Sequence, residues 1–223
     1  MFFSRIRVLG NNPDELLKII KSSDYDQHQL LWKLFPDRPD EKREYLFKRD
    51  YYNGFPQFYM VSKEKPVPLD GVLDVETRDY QPELMAGDQL SFTLRANPVR
   101  VRKIDESSNK RKRDDVVFVL KDKYKSKGLT KEEMPSKAEL SQEAGEVWLS
   151  KKSERHGFKV DAVRADSYMR HRFDRKGENI CYSTLDFQGT LTVTNPEKFT
   201  NVLFGGLGPA KAFGCGLMLI KRI

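Results

Sequence analysis

Apolar positions along this chain change spacing several times, and each change marks an element. Residues 2 to 9, FFSRIRVL, mix apolar side chains with Arg5 and Arg7 in near alternation and predict a β-strand. From Pro13 to about Phe35 the spacing becomes helical. Asn12 is placed to cap this region ahead of Pro13, Asp14 and Glu15, and Pro36 ends it. The cluster Ser22, Ser23, Asp24 breaks it into two helices, the second starting near Asp24. Two strands, about 43 to 51 and 55 to 63, are joined around Asn53 and Gly54, a pair that suits a tight hairpin turn. A further strand is expected over about 72 to 80, with Pro66, Pro68 and Gly71 opposing a helix before it.

From about residue 88 the pattern gives a strand, QLSFTLRANPVRV, and then a basic insertion. The insertion ends in a hairpin-like SSNKRKRDD tip whose continuation VVFVLK extends it as a β-ribbon. A helix at about 136 to 152 follows, then strands near 157 to 170 and 180 to 194, a short helix after Pro196 and a final strand CGLMLIK. This order is β-α-β-β-α-β, the order of the ferredoxin-like plait that RNA-recognition modules commonly use. The first half reads as a degraded copy of the same unit. The expected fold is therefore α+β, two tandem ferredoxin-like domains with a boundary near residue 87. Residues 1 to 87 carry the helical region, and 88 to 223 carry the basic ribbon and a glycine-rich loop.

Charge sharpens this picture. The chain of 223 residues has 40 Lys and Arg against 33 Asp and Glu, a formal net charge of +7. Between Arg95 and Arg113 stand eight basic residues and two acids, so this one segment supplies +6. Arg100, Arg102, Lys103, Arg111 and Arg113 are its candidate phosphate contacts. A solvated basic loop is the plainer alternative. A second patch, Arg164, Arg170, Arg172, Arg175 and Lys176, is interleaved with Tyr168, His171 and Phe173, aromatics suited to stacking on unpaired bases. Arg172 and Lys176 are its candidate RNA contacts. Near the C-terminus, GGLGPAKAFGCG gathers glycines around Lys211. Gly206, Gly208 and Gly214 would let backbone N–H groups approach a phosphate, although a tight structural turn explains the same residues.

No run of about 18 apolar residues is present, and the N-terminus lacks the apolar core of a secretory signal, so the expectation is a cytoplasmic protein with no membrane partner. Cys181 and Cys215 sit in apolar runs without C-x-x-C spacing and read as small core residues. No metal-ligand spacing and no nucleophile elbow occur, so neither a metal nor another cofactor is expected.

The histidines are His28, His156 and His171. On a helix of about 100° per residue, Leu30, Leu31 and Leu34 form one stripe, Tyr25 and Gln29 face away, and His28 falls at the border. Tyr25 and His28 are three apart, so a phenol and an imidazole can converge on one ligand. Imidazole titrates near neutrality, as proton transfer in phosphodiester cleavage requires. From these residues alone, the plainer reading is that His28 is a partly exposed surface residue and Tyr25 a packing aromatic. His156 follows a helix end, where a cation suits the dipole.

Three segments together resemble the CasE (Cse-type) CRISPR repeat endoribonucleases of type I-E systems. They are Y-x-x-H-Q-x-L-W-x-L-F-P-x-R-P from Tyr25 to Pro39, F-x-L-R-A-N-P from Phe92 to Pro98, and G-x-G-P-A-K-x-x-G-C-G-L from Gly206 to Leu217. They occur in the family order and, with the opening strand, spread over nearly the whole chain. The resemblance implies two ferredoxin-like domains and cleavage of a CRISPR repeat RNA at the base of its hairpin. It also implies retention of the product within the type I-E surveillance complex (Cascade), alongside that complex's backbone subunits. It makes His28 the catalytic histidine, Tyr25 its companion, and Gly206 to Gly216 an RNA-binding loop. Gln29 stands where some members have a basic residue, so a cation for the transition state must come from elsewhere, with Lys33, Arg172, Lys176 and Lys211 as candidates. A non-catalytic RNA-binding subunit of the same complex is the alternative.

Overall fold

A computed structural model describes residues 1–10, 13–36, 44–104, 110–175 and 178–223, with the side chains at 174, 175 and 178 outside the description. Two compact units emerge: Met1–Glu83 together with Leu203–Leu217, and Leu84–Val202 together with Met218–Ile223.

In the first unit, β1 (Phe2–Val8) leads into α1 (Pro13–Lys21) and α2 (Asp24–Trp32), followed by β2 (Tyr45–Tyr52), β3 (Phe55–Ser62) and β4 (Leu73–Asp79). Asn12 lies outside the described residues. Ser23 caps α2 through a reciprocal box: its hydroxyl accepts from Asp26 N, and the Asp26 carboxylate accepts from Ser23 N. The helix stops at Trp32 rather than Phe35. The N–H groups of Lys33, Leu34 and Phe35 bond to carbonyls three residues back, which tightens the last turn before Pro36. Asn53 (φ 49°) and Gly54 (φ 80°) make the β2–β3 turn expected of them. The strands form an antiparallel sheet in the order β2-β3-β1-β4.

Period-two alternation sends Ser4, Ile6 and Val8 inward, and Ile6 pairs across the sheet with Phe58. Ile6, Leu31, Leu34, Phe47, Phe58 and Met60 form a core under the helices. Full burial of each such side chain stabilises the fold by roughly 1.5–3 kcal/mol. No helix forms between β3 and β4 in this unit. Val67, between two prolines, donates its N–H to the Leu34 carbonyl at 2.9 Å.

The second unit contains β5 (Gln89–Ala96), β6 (Val99–Lys103), β7 (Arg111–Asp115), α3 (Val116–Ser126), α4 (Lys137–Ser153), β8 (Phe158–Arg175), β9 (Glu178–Val193) and β10 (Met218–Arg222). A further helix, α5 (Pro196–Gly205), begins in this unit and leads out of it. Its sheet runs β10-β5-β9-β8, again antiparallel. Counting strands within each four-stranded sheet, both have the order 4-1-3-2 of the ferredoxin-like plait, as the tandem reading anticipated. Helix α4 lies on β8, where Gly145 permits the approach: a Cβ there would meet Ala165 Cβ and Leu185 Cδ2 at 2.8 Å.

Several expectations are corrected. The strand expected from Gln89 through Val101 breaks at Asn97 and Pro98, so β5 stays in the main sheet while β6 pairs only with β7. VVFVLK is not ribbon. It opens α3, because the Asp115 carboxylate caps Val117 N (2.8 Å) and Phe118 N (3.0 Å) and the helical spacing of Val116, Val117, Leu120 and Tyr124 packs against Leu140 and Ala144. Tertiary burial here outweighs the β-branched composition. The last strand starts at Met218, since Gly214 (φ 74°) and Gly216 (φ 98°) hold the preceding residues in turns. Cys215 is buried as expected, whereas Cys181 is exposed on β9.

Candidate active site

Helix α2 turns its leucine side inward, with Leu31 and the following Leu34 fully buried and Leu30 packed against the core, and the buried face extends to the two residues beside it. Gln27, His28 and Leu31 are buried, and His28 is only 2% exposed. The Gln27 amide is anchored by donating to the Ser22 carbonyl at 3.2 Å. Opposite this face, β2 presents Tyr45 and Phe47, which alternation places on the same side of the sheet. The Tyr45 hydroxyl lies 3.0 Å from His28 Nδ1 and donates to the His28 carbonyl oxygen at 3.2 Å. The imidazole stacks on Tyr45 at 5.5 Å between ring centres and on Phe47 at 6.0 Å. Phe35 and Trp32 in turn hold the Tyr45 ring, at 5.4 and 6.2 Å.

Tyr45 and Phe47 were absent from the sequence-based site. Their only signal was the alternation of β2, which does not reveal which helix residue they meet. Tyr25, the phenol expected beside His28, is half-buried and accepts from Gln29 Nε2 at 2.9 Å.

The glycine-rich loop belongs to the same unit as His28. Gly206, Gly208, Gly214 and Gly216 all have positive φ, as does Ala210. Lys211–Phe213 form a 3-10 turn against α2 and β2, and Leu207 N donates to the Gly216 carbonyl at 2.9 Å to close the loop. A Cβ on Gly206 would come within 2.9 Å of Leu46 Cδ2, and one on Gly214 within 3.2 Å of Phe47 Cε2. Phe47 therefore touches both His28 and the loop. Lys211 and Lys33 are exposed in this unit.

The ribbon candidates lie in the second unit. Register places Arg100 opposite Asp114 and Arg102 opposite Lys112, while Val101 faces Arg113 and Lys103 faces Arg111. Arg100 and Arg102 thus share one face, and Lys103, Arg111 and Arg113 the other. Asp114 lies 3.8 Å from Arg100 and 3.9 Å from Lys112 and is hydrogen-bonded by Arg102, which offsets part of the first face's charge. Residues 105 to 109, the ribbon tip, lie outside the described residues. Arg95 belongs elsewhere: it is clamped bidentately to Asp186 at 2.7 Å.

In the second patch, Arg172 is exposed on β8 and Lys176 lies outside the described residues. Tyr168 donates to Asp115 at 2.8 Å, and burial together with that carboxylate pushes the phenol well above its usual range. His171 is bound to Thr184 at 2.9 Å and stacked on Tyr182 at 4.6 Å. Among the described residues, no group of three or more His, Cys, Asp or Glu is placed to hold a metal ion, and no helix is long and apolar enough to cross a membrane.

Fold and site together define a protein of two tandem ferredoxin-like plaits, the first joining a helical histidine to a glycine-rich loop. A family model described as "CRISPR associated protein" matches residues 1–222, and the chain belongs to that family as a CasE-type member. It is 31% identical over 203 residues to the CRISPR system Cascade subunit CasE of Escherichia coli (strain K12), covering 89% of this chain and 92% of that one. With the CRISPR-associated endoribonuclease Cse3 of Thermus thermophilus it shares 24% identity over 215 residues, 88% of this chain and 89% of the relative. A structure of CRISPR endoribonuclease Cse3 bound to 19 nt RNA superposes over the full length of both chains, with a TM-score of 0.72 and 21% identity, a likeness of fold.

Proposed function

We propose that this chain is an endoribonuclease that binds the stem-loop of a CRISPR repeat in precursor RNA and cuts at the base of the hairpin without a metal. It then stays on its product as a subunit of a type I-E surveillance complex. The observation that carries this reading is the meeting, within one unit, of His28 and the glycine-rich loop through Phe47. The names of the relatives, an endoribonuclease and a Cascade subunit, support it.

In the proposed reaction the ribose 2′-oxygen attacks the adjacent phosphorus and the P–O5′ bond breaks, leaving a 2′,3′-cyclic phosphate and a 5′-OH. One proton leaves the 2′-OH and one reaches the departing O5′. His28 performs one of these transfers, and Tyr25 orients the nucleophile or assists. Of the candidate cations for the phosphorane, Lys33 and Lys211 stand in the unit that holds His28. Gly206, Gly208, Lys211 and Gly214 would contact the RNA backbone, with Arg100, Arg102, Lys103, Arg111, Arg113, Arg172 and Lys176 as further contacts.

One observation favours the non-catalytic alternative: with 2% exposure, His28 serves packing in the unbound protein. For the catalytic reading, RNA binding must uncover the ring. Incubating the purified chain with repeat RNA in chelator, followed by end-group analysis, separates the two. A cyclic phosphate at a single position supports cleavage by this chain, and intact bound RNA supports the alternative.

A further inference from the structure

We propose that Tyr45 is a positioning residue for His28: its hydroxyl holds the imidazole hydrogen on Nδ1 and leaves Nε2 as the nitrogen that exchanges protons with the substrate. The inference rests on His28 carrying a proton transfer.

A phenol has one hydrogen, and the Tyr45 hydroxyl lies against both His28 Nδ1, at 3.0 Å, and the His28 carbonyl oxygen, at 3.2 Å. The carbonyl can only accept, so the phenolic hydrogen goes there. The lone pairs of the phenol then face Nδ1, which must be the donor. A neutral imidazole has one N–H, so Nε2 carries the lone pair and can act as a base. When His28 is protonated, Nδ1–H still donates to the same oxygen, and the added hydrogen sits on Nε2. The whole acid–base cycle therefore runs at one nitrogen, with neither a ring flip nor a change in the Tyr45 contact.

The ring stacks of Tyr45 and Phe47 on His28, and of Phe35 and Trp32 on Tyr45, fix the orientation this requires. Were the phenol to donate to Nδ1 instead, the carbonyl would face an oxygen lone pair, and the neutral ring would carry its hydrogen on Nε2, where it cannot accept a proton. Tyr25, whose oxygen accepts from Gln29, is left to meet the substrate.

Tyr45→Phe keeps the aromatic ring and removes only the hydroxyl. The first measurement needs no variant: ¹⁵N spectra of imidazole-labelled protein, with His28 assigned from its disappearance in His28→Ala, at a pH where imidazole is neutral. The wild-type spectrum should show a protonated Nδ1 and a bare Nε2, and Tyr45→Phe should shift toward the Nε2–H form. The single-turnover cleavage rate of Tyr45→Phe should fall roughly ten- to a hundredfold while hairpin affinity stays unchanged. A wild-type His28 with its hydrogen on Nε2, or full-rate cleavage by Tyr45→Phe beside an inactive His28→Ala, overturns the proposal alone. Full-rate cleavage by His28→Ala overturns the proton-transfer reading beneath it.

Discussion

In His28→Ala the chain loses an imidazole that is 2% exposed and stacked on Tyr45 and Phe47. Truncating a buried ring of this size costs about 2–3 kcal/mol in lost contacts and cavity formation. A stranded hydroxyl would add roughly 1–3 kcal/mol. That addition is avoided, because Tyr45 also bonds the carbonyl of residue 28 at 3.2 Å and alanine keeps that carbonyl. Against a typical domain stability of about 5–15 kcal/mol, even the weakest case leaves about 2 kcal/mol, or roughly thirty folded molecules for each unfolded one. Unfolding can then remove only a few per cent of the activity. Loss of a general acid or base removes roughly a hundred- to ten-thousandfold, about 3–5 kcal/mol in the barrier. The two effects differ enough to be read apart. The assay is single-turnover cleavage of an end-labelled repeat hairpin in chelator at saturating protein, beside urea unfolding and hairpin binding of the same preparation. The expected result is a rate loss of at least about a hundredfold with binding nearly intact. A rate within a few-fold of wild type, a rate loss that tracks the unfolded fraction, or a parallel loss of binding would refute the role given to His28.

Replacing the ribose beside the scissile phosphate by deoxyribose should stop cleavage and leave affinity near normal, since stem shape and the other contacts remain; efficient cutting of that RNA would mean that water is the nucleophile. On the ribbon, neutralising Lys103, Arg111 and Arg113 should flatten the slope of log affinity against log salt more than neutralising Arg100 and Arg102, whose charge Asp114 partly offsets. The reverse order would place the RNA on the Arg100 face. Tyr168→Phe should cost about 1–2 kcal/mol at neutral pH by removing the bond to Asp115. Because the folded phenol is held above its usual range, this contribution is full below the free phenol's value of about 10 and fades as pH rises through the raised one. The gap between variant and wild type, followed by urea unfolding, should therefore narrow in alkali; a gap that widens there contradicts the assigned bond.

The two plaits were legible in the sequence because each of their strands and helices signals itself locally. Alternation marks β1, Ser23 with Asp24 marks the start of α2, Asn53 and Gly54 mark a hairpin, and two prolines forbid the helix missing from the first unit. His28, Tyr25 and the glycine-rich segment were singled out as candidates by their spacing, and the resemblance to the CasE family gave them their proposed roles. Local spacing also misled where packing decides between two locally acceptable states: VVFVLK became α3 through its contacts with Leu140 and Ala144, and His28, which spacing left at the border of the leucine stripe, is buried beside Leu31.

What the chain determined by itself is most of the elements, their order and the residues able to do chemistry, because backbone propensity and side-chain periodicity act over a few neighbours. Only the tertiary structure decided that Tyr45 stands on His28 Nδ1, and that Phe47 joins His28 to Gly214 across more than 150 residues of sequence. The ribbon cations were likewise divided between two faces by strand register. Such contacts are set by how helix and loop pack on the sheet, and no local rule encodes which distant side chain will fill that space.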